Sequence, residues 1–230
     1  MNATSPSAWL FDLDGTLVDT APDLGHAANL VRGECGLRPL PVSDYRAAAS
    51  HGARGLLGIA LGIAPDHPDY APHRDSFLAH YRIHLARDSH LFPGIAELLL
   101  TLDLRAVRWG VVTNKPGWLT LPLMKALGLD VRAACIVSGD SAPRPKPAPD
   151  PLLLAASQLH LRAADCLYVG DDLRDIESAR AAGMPSVAAG WGYLGTTPIR
   201  DWQADHVAPH VTDLHALLAA SSAASSAYSA

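Results

Sequence analysis

The chain has 230 residues, of which 49% are hydrophobic and 18% are charged, and its formal net charge is −5. This length suffices for one large domain or for one domain with a smaller insert, and the apolar content allows a substantial core. The negative balance excludes the basic surface that a nucleic-acid binder or a membrane-surface binder needs. We therefore expect no nucleic-acid partner and no membrane partner.

The N-terminal segment lacks the features of a secretory signal. Residues 1–8 are polar and contain no basic residue, and the apolar run that follows them is short. No stretch has the length of a membrane span. The three cysteines show no metal-ligand spacing and are expected to be buried free thiols. These observations predict a cytoplasmic protein and leave its oligomeric state open.

Short apolar runs alternate with helical patterns along most of the chain. The predicted strands are Ala8–Phe11, Trp109–Val112, Ala134–Val137, Cys166–Val169 and Ser186–Ala189. The predicted helices are Gly94–Asp103, Gly117–Leu127, Asp150–His160 and Leu173–Ala182. Such alternation is typical of an α/β fold with a doubly wound, Rossmann-like parallel sheet that is covered on both faces. In such folds ligands bind outside the carboxyl ends of the strands.

The region between the first two predicted strands breaks this alternation. Three stretches of it look helical, Leu17–Glu34, Ser43–Leu61 and Ala71–Asp88. A helical insert after the first strand is the simplest account. The predicted core then comprises residues 1–17 and 89–218, and the insert comprises residues 18–88. Residues 219–230 are almost wholly Ala and Ser and are expected to be disordered.

Two aspartates, Asp12 and Asp14, follow the first strand directly. Two carboxylates this close repel each other, and they are stable only with a cation between them or with a proton on one of them. Gly15 permits a sharp turn and Thr16 can begin a helix. The alternative is a strand that simply ends in an acidic turn.

Polar residues also follow the next strand and occupy a proline-rich loop. Thr113 and Asn114 end the second strand, where a hydroxyl and free N–H groups can hold a phosphate oxygen, although such residues also serve as ordinary caps. Lys146 lies between prolines in the segment 144–149, which keeps the backbone extended and stiff. The alternative for Lys146 is a solvated lysine on a rigid loop.

Three acids cluster after the predicted strand that ends at Val169. Asp171 ends that strand, Asp172 follows it, and Asp175 lies near the first turn of the next helix. Acids at a helix N-terminus complement the helix dipole, which is the simpler explanation. Three acids in five residues exceed what a cap needs, and they indicate a site for a hard divalent cation.

In their order along the chain, these four clusters resemble the signatures of the haloacid dehalogenase superfamily of phosphatases. The resemblance covers nearly the whole chain, and the helical insert resembles the α-helical cap that this family carries after its first strand. Segments 19–23, 112–116 and 171–177 are similar to the phosphoglycolate phosphatase group. Ser50-x-Gly52-Ala53-Arg54 and Gly192-Tyr193 are similar to the N-acetylmuramic acid 6-phosphate phosphatase branch.

The resemblance implies a phosphatase that hydrolyses a small carboxylate-bearing phosphomonoester, N-acetylmuramic acid 6-phosphate or 2-phosphoglycolate, through an aspartyl-phosphate. It implies that Asp12 is the nucleophile and that Asp14 is the acid-base. Lys146 would balance the charge of Asp12 and the phosphate, while Thr113 and the N–H of Asn114 would hold phosphate oxygens.

The resemblance also implies a Mg²⁺ ion as cofactor. Asp12, the backbone carbonyl of Asp14 and Asp171 would coordinate it. Asp172 or Asp175 would support it through bound water or neighbouring contacts.

Substrate specificity is predicted to involve two basic residues. Arg54 can form a forked contact with a substrate carboxylate, or it can be an exposed arginine at a helix start. Lys115 can add charge to the site or be merely solvated. Because Asp14 can protonate an alkoxide leaving group, it favours phosphate ester hydrolysis over dehalogenation. A sugar phosphomutase of the same superfamily and a catalytically inert binding module remain the alternatives.

Overall fold

A parallel β-sheet lies at the centre of the molecule. The computed structural model describes residues 6–226, with side chains for residues 6–219. The strands of this part of the chain are β1 (Ala8–Phe11), β2 (Val18–Asp19), β3 (His90–Leu91), β4 (Arg108–Val112), β5 (Ile136–Val137), β6 (Cys166–Gly170), β7 (Ser186–Ala189) and β8 (His206–Ala208). Six of them form one sheet in the order β5-β4-β1-β6-β7-β8, and every pairing in it is parallel. The predicted α/β fold class is confirmed.

Helices cover both faces of this sheet. The helices of the described residues are α1 (Ala21–Glu34), α2 (Val42–Arg46), α3 (Gly52–Leu61), α4 (Tyr70–Ile83), α5 (Ile95–Leu104), α6 (Gly117–Ala126), α7 (Asp150–Gln158), α8 (Leu173–Ala182) and α9 (Val211–Ser226). Helices α5, α7, α8 and α9 contact the strands of the sheet, whereas α1–α4 belong to the insert. Because successive side chains of a strand point to opposite faces, β1 contributes side chains to two hydrophobic clusters, one on each face of the sheet. Trp9 and Phe11 belong to one hydrophobic cluster, and Ala8 and Leu10 belong to the other.

Helices α1–α4 form a helical unit inserted between β2 and β3, in which α1 contacts each of the other three helices. The two connections to the sheet meet in an antiparallel ladder, with Val18 opposite Leu91. The buried carboxylate of Asp23 also ties them together. It accepts hydrogen bonds from Asp88 N at 2.9 Å and from Ser89 N at 3.0 Å. The helical unit is therefore fixed to the core at both of its ends.

Several element boundaries differ from those expected. Helix α1 begins at Ala21 rather than at residue 17, because the chain first forms β2 and Pro22 then sits in the first helical turn. The stretch 43–61 is not one helix, because the chain turns at residues 49–51 and Gly52 has a φ of 56°. Strand β5 contains only two of the four residues expected, and β2, β3 and β8 were not predicted.

The Ala- and Ser-rich segment was expected to be disordered, whereas the structure continues α9 through residues 219–226. Val211, Leu214 and Leu218 anchor that helix on the core, and alanine, the best helix former, extends it. Residues 227–230 lie outside the described residues. Of the three free cysteines, Cys135 and Cys166 are buried as expected, whereas Cys35 is exposed. In residues 6–226 no helix is both long and apolar enough to cross a membrane.

Candidate active site

The carboxyl ends of three neighbouring strands bring the predicted site residues together. Phe11 of β1 lies opposite Val111 of β4 on one side and Val169 of β6 on the other. Because the strands are parallel and in register, the residues that follow them lie at one edge of the sheet. Those residues are Asp12, Thr113 and Asp171.

Three buried carboxylates meet at this edge. Asp12, Asp171 and Asp175 each offer one oxygen, and these oxygens all lie within 4.8 Å of one another. Asp171 is fully buried, and Asp12 and Asp175 are 7% and 1% exposed. Buried charges of the same sign require a compensating cation, and carboxylate oxygens are the ligands that Mg²⁺ prefers. The residues present therefore fit a Mg²⁺ ion.

Asp171 is held rigidly in this cluster. Its Oδ1 accepts from the Thr16 hydroxyl at 2.7 Å, and its Oδ2 accepts from Tyr193 N at 2.7 Å. Gly15, with a φ of 90°, and Gly192 pass so close that a Cβ on either would lie 2.1 or 2.3 Å from an Asp171 atom. Burial, followed by the charges of Asp12 and Asp175, raises the pKa of Asp171 well above its usual value.

Asp12 faces Lys146 across the cluster, with 3.0 Å between Lys146 Nζ and Asp12 Oδ1. Burial is the main reason that the pKa of Asp12 is raised to about 7, and the charges of Asp175 and Asp14 act in the same direction. Lys146 opposes this rise. A divalent cation would act in the same direction as Lys146 and lower the pKa of Asp12, since an opposite charge favours the ionised carboxylate.

Lys146 is buried and fully engaged. Its Nζ donates to the Tyr168 hydroxyl at 2.7 Å and to Val112 O at 3.0 Å, and it pairs with Asp175 Oδ1 at 2.7 Å. Burial alone would favour the neutral amine, but Asp12 and Asp175 outweigh it and raise the pKa of Lys146. Lys146 is therefore a permanent positive charge within the acidic cluster, and the solvated alternative is excluded.

The other phosphate-binding candidates also lie at this edge. Thr113 is buried and lines the cavity described below, and its hydroxyl accepts from Lys115 N at 3.1 Å. The side chain of Asn114 binds the backbone of Lys146 through two hydrogen bonds of 2.9 Å. Asn114 thus positions the loop that carries Lys146.

The carboxylate of Asp14 lies apart from the acidic cluster, on the side of the helical unit. Its Oδ1 accepts from the Thr20 hydroxyl at 2.7 Å and from Lys115 Nζ at 3.0 Å. Lys115 Nζ also donates to the hydroxyl of Tyr81, on α4, at 2.8 Å. The ammonium of Lys115 is therefore bound between two side chains rather than solvated.

Asp172 does not share the position of Asp175. It caps α8 by accepting from Arg174 N at 2.9 Å, and it pairs with the Arg174 side chain at 2.8 Å. Although burial acts in the opposite sense, Arg174 lowers the pKa of Asp172. Of the two acids predicted to support the metal, the structure brings Asp175 and not Asp172 into the cluster.

A cavity of about 440 Å³ lies between this edge of the sheet and the helical unit. Asp12, Asp14 and Lys146 lie on its polar side, and the helical unit contributes apolar residues such as Leu24 and Phe77. Arg54 is exposed and is not among the residues that line the cavity.

The sequence did not predict a functional role for Arg174 or Tyr81, which both line the cavity. Arg174 lines the cavity and donates to Ser50 O in the helical unit at 2.8 Å. Its position between the acids Asp172 and Asp175 was the only signal in the sequence. Tyr81 fits the apolar pattern of a helix, so nothing in the sequence distinguished it from a core residue.

The sequence model of the family described as haloacid dehalogenase-like hydrolase matches residues 9–189. The chain belongs to this family. The expected family membership is thereby confirmed, and the acidic edge of the sheet lies within the matched region of this haloacid dehalogenase-like hydrolase.

Two relatives of this haloacid dehalogenase-like hydrolase carry different names. A phosphoglycolate phosphatase of Xanthomonas campestris is 43% identical over 204 residues, which cover 87% of this chain and 90% of the relative. An N-acetylmuramic acid 6-phosphate phosphatase of Pseudomonas aeruginosa is 42% identical over 209 residues, which cover 90% of this chain and 92% of the relative. Because the two identities are nearly equal, they do not favour the activity of one named relative over that of the other.

Solved structures have the same fold. The crystal structure of a predicted phosphoglycolate phosphatase from Haemophilus somnus matches this hydrolase with a TM-score of 0.83 and 28% identity. The match covers 93% of this chain and 98% of that chain, and so includes both the sheet and the helical unit.

Proposed function

We propose that this protein is a Mg²⁺-dependent phosphatase that hydrolyses a small carboxylate-bearing phosphomonoester through an aspartyl-phosphate on Asp12. The observation that carries the proposal is the set of three buried carboxylates, with Lys146 3.0 Å from Asp12. Asp12 and Asp171 directly follow β1 and β6, and Asp175 lies in the first turn of α8. Phosphoryl transfer requires mainly positioning and charge stabilisation, and this edge of the sheet supplies both.

Asp12 is the nucleophile in this proposal. A carboxylate attacks phosphorus without a separate base, and the bond from phosphorus to the alcohol oxygen breaks as the bond to Asp12 forms. Lys146 offsets the negative charge of the phosphate and holds Asp12 in place. Asp12, Asp171 and the backbone carbonyl of Asp14 would hold Mg²⁺, supported by Asp175, and the ion would supply positive charge against the phosphate oxygens.

Asp14 is the acid-base in this proposal. Its carboxyl gives a proton to the departing alcohol oxygen, and afterwards it takes one from the water that attacks the aspartyl-phosphate. Asp14 lines the cavity two residues from the nucleophile, so one group can serve both steps. The Thr113 hydroxyl and the N–H of Asn114 hold the phosphate oxygens that remain.

The size of the cavity favours the larger of the two candidate substrates. About 440 Å³ lies within the range of small-molecule sites, and it exceeds what a two-carbon ester such as 2-phosphoglycolate fills. The apolar residues of the helical unit suit the ring and methyl groups of N-acetylmuramic acid 6-phosphate. We therefore propose that the helical unit, predicted as residues 18–88, acts as a cap domain over a sugar phosphate.

A substrate panel tests the proposal. The panel contains N-acetylmuramic acid 6-phosphate, 2-phosphoglycolate, N-acetylglucosamine 6-phosphate and hexose 6-phosphates, each with Mg²⁺. We expect release of inorganic phosphate to be fastest from N-acetylmuramic acid 6-phosphate. N-acetylglucosamine 6-phosphate is the matched ester without a carboxylate, because it lacks only the lactyl group. Isomerised sugar phosphate without phosphate release would identify a phosphomutase, and binding without any turnover would identify an inert module.

A further inference from the structure

One buried ammonium joins the helical unit to the predicted acid-base. Lys115 belongs to the segment after β4, and its side chain is 6% exposed. Its Nζ lies 3.0 Å from Asp14 Oδ1 and 3.3 Å from Asp14 Oδ2. The same Nζ donates to the hydroxyl of Tyr81 at 2.8 Å. Tyr81 comes from α4, so a single cation spans the two parts of the molecule.

Both ends of this bridge are fixed. The main chain of Lys115 donates to the Thr113 hydroxyl and accepts from Gly139 N at 2.8 Å. The ring of Tyr81 is 1% exposed and stacks on Phe77 with an interplanar angle of 8°. The main chain of Lys115 is thus fixed, and Tyr81 contacts its Nζ from the helical unit through the hydroxyl and through the ring, whose centroid lies 4.5 Å away. Of these two contacts, only the hydroxyl accepts a hydrogen bond that directs the ammonium toward Asp14.

The bridge also orients the carboxylate of Asp14. Oδ1 is held twice, by the Thr20 hydroxyl at 2.7 Å and by Lys115 at 3.0 Å. Oδ2 has the longer Lys115 contact of 3.3 Å, so it is the less engaged oxygen and the one free to exchange a proton. A carboxyl that transfers a proton must lie within hydrogen-bond reach of the departing oxygen, so a small rotation of this group is costly.

We propose that Tyr81 is a positioning residue that acts through Lys115 to orient the carboxyl of Asp14 toward the leaving alcohol, so that leaving-group protonation depends on the seating of the helical unit. The inference rests on the proposed function, in which Asp14 is the acid-base. As phosphorus bonds to Asp12 and its bond to the alcohol oxygen breaks, Asp14 gives its proton to that oxygen and becomes a carboxylate.

The leaving group separates this role from a merely structural one. An alkoxide must be protonated as it departs, whereas p-nitrophenolate is a stable anion that departs without a proton. The value of kcat/KM covers the steps up to release of the leaving group, and the later hydrolysis of the aspartyl-phosphate is common to both esters. A loss of protonation therefore lowers kcat/KM for the alkyl ester alone.

Tyr81→Phe tests the proposal, assayed with N-acetylmuramic acid 6-phosphate and with p-nitrophenyl phosphate at saturating Mg²⁺. We expect kcat/KM to fall roughly tenfold for the sugar phosphate, which is part of the about 10²–10⁴-fold effect of a general acid. For p-nitrophenyl phosphate we expect a change under about twofold. Equal losses with both esters, or no loss with the sugar phosphate, would overturn the proposal.

Two further variants show whether Tyr81 acts through Lys115. Lys115→Met should show the same selective loss. Adding Tyr81→Phe to Lys115→Met should then lower kcat/KM by no more than about twofold, because the shared contact is already gone. Independent, multiplicative losses would contradict the bridge.

Control variants keep the inference and the proposed function distinguishable. Asp14→Asn must show the selective loss if Asp14 is the acid, and without it the acid assignment fails together with the inference. Selective loss in Asp14→Asn but not in Tyr81→Phe overturns the inference alone. Tyr45→Phe is the matched control for folding, because Tyr45 is also a buried tyrosine of the helical unit and donates to Asn29 Oδ1 at 2.9 Å. It should leave both rates unchanged.

Discussion

The side chain of Asn114 binds both the backbone N–H and the backbone carbonyl of Lys146. Lys146 N donates to Asn114 Oδ1, and Asn114 Nδ2 donates to Lys146 O, each at 2.9 Å. These bonds join the end of β4 to the proline-rich loop 32 residues later. The lysine that faces Asp12 is therefore positioned by the residue that was predicted to bind phosphate.

Asn114→Ala should lower both stability and turnover. Loss of two hydrogen bonds is expected to cost about 2 kcal/mol, and the displaced lysine should lower kcat about tenfold or more. Asn29→Ala is the control, because Asn29 makes the same pair of bonds to Leu40, at 2.8 Å each, away from the cavity, and accepts a further bond from the Tyr45 hydroxyl at 2.9 Å. Urea unfolding should show a loss for both variants, with the larger loss for Asn29→Ala, and steady-state kinetics should show a defect only for Asn114→Ala. A similar defect in both would refute the positioning role.

Asp12→Asn should abolish phosphate release and leave the protein folded, because the amide is nearly isosteric with the carboxylate. Because the pKa of Asp12 is raised from 3.8 to about 7, ionisation of this group costs stability as the pH rises between these two values, and the loss is complete above them. At pH 8 in EDTA the variant should therefore melt at least about 2 °C higher than the parent protein. Circular dichroism and a phosphate assay measure both effects, and wild-type hydrolysis by this variant would remove the mechanism.

Mg²⁺ should stabilise the protein as well as activate it. At a concentration about 100-fold above its dissociation constant, a ligand of the folded state adds about 2.7 kcal/mol, which appears as a rise in Tm. Asp171→Asn should remove this rise, because Asp171 is a member of the buried cluster. Asp172→Asn should retain it, because Asp172 is paired with Arg174 instead. Full activity after exhaustive chelation would contradict the metal assignment.

Arg54 and Arg174 are expected to differ in their effect on KM. Arg54 is exposed and does not line the cavity, so Arg54→Ala should leave KM for N-acetylmuramic acid 6-phosphate unchanged. Arg174 lines the cavity, and Arg174→Ala should raise KM several-fold. N-acetylglucosamine 6-phosphate, which lacks the substrate carboxylate, serves as the comparison substrate for both variants. If Arg54→Ala instead raises KM for the acidic ester alone, then Arg54 binds the substrate carboxylate, as the sequence predicts.

Local sequence patterns sufficed for most of the core. Apolar runs of four or five residues between helical patterns define β1, β4, β6 and β7, because a strand buried on both faces has a distinctive composition. The pairing of β2 with β3 was not predictable, since two residues carry no period and their alignment depends on the inserted helices. Helix α9 extends to Ser226 because tertiary anchoring at Leu214 and Leu218 supports a segment that composition alone marks as disordered.

The sequence by itself determined that Asp12, Thr113 and Asp171 share one edge, because parallel strands end side by side. Only the tertiary structure decided that Asp175 rather than Asp172 joins the buried cluster, that Lys115 binds Asp14 and Tyr81, and that Arg54 stays outside the cavity. The physical reason is one of range. The end of a strand is set by its own residues, whereas the direction of a side chain beyond it depends on partners that folding brings from distant parts of the chain.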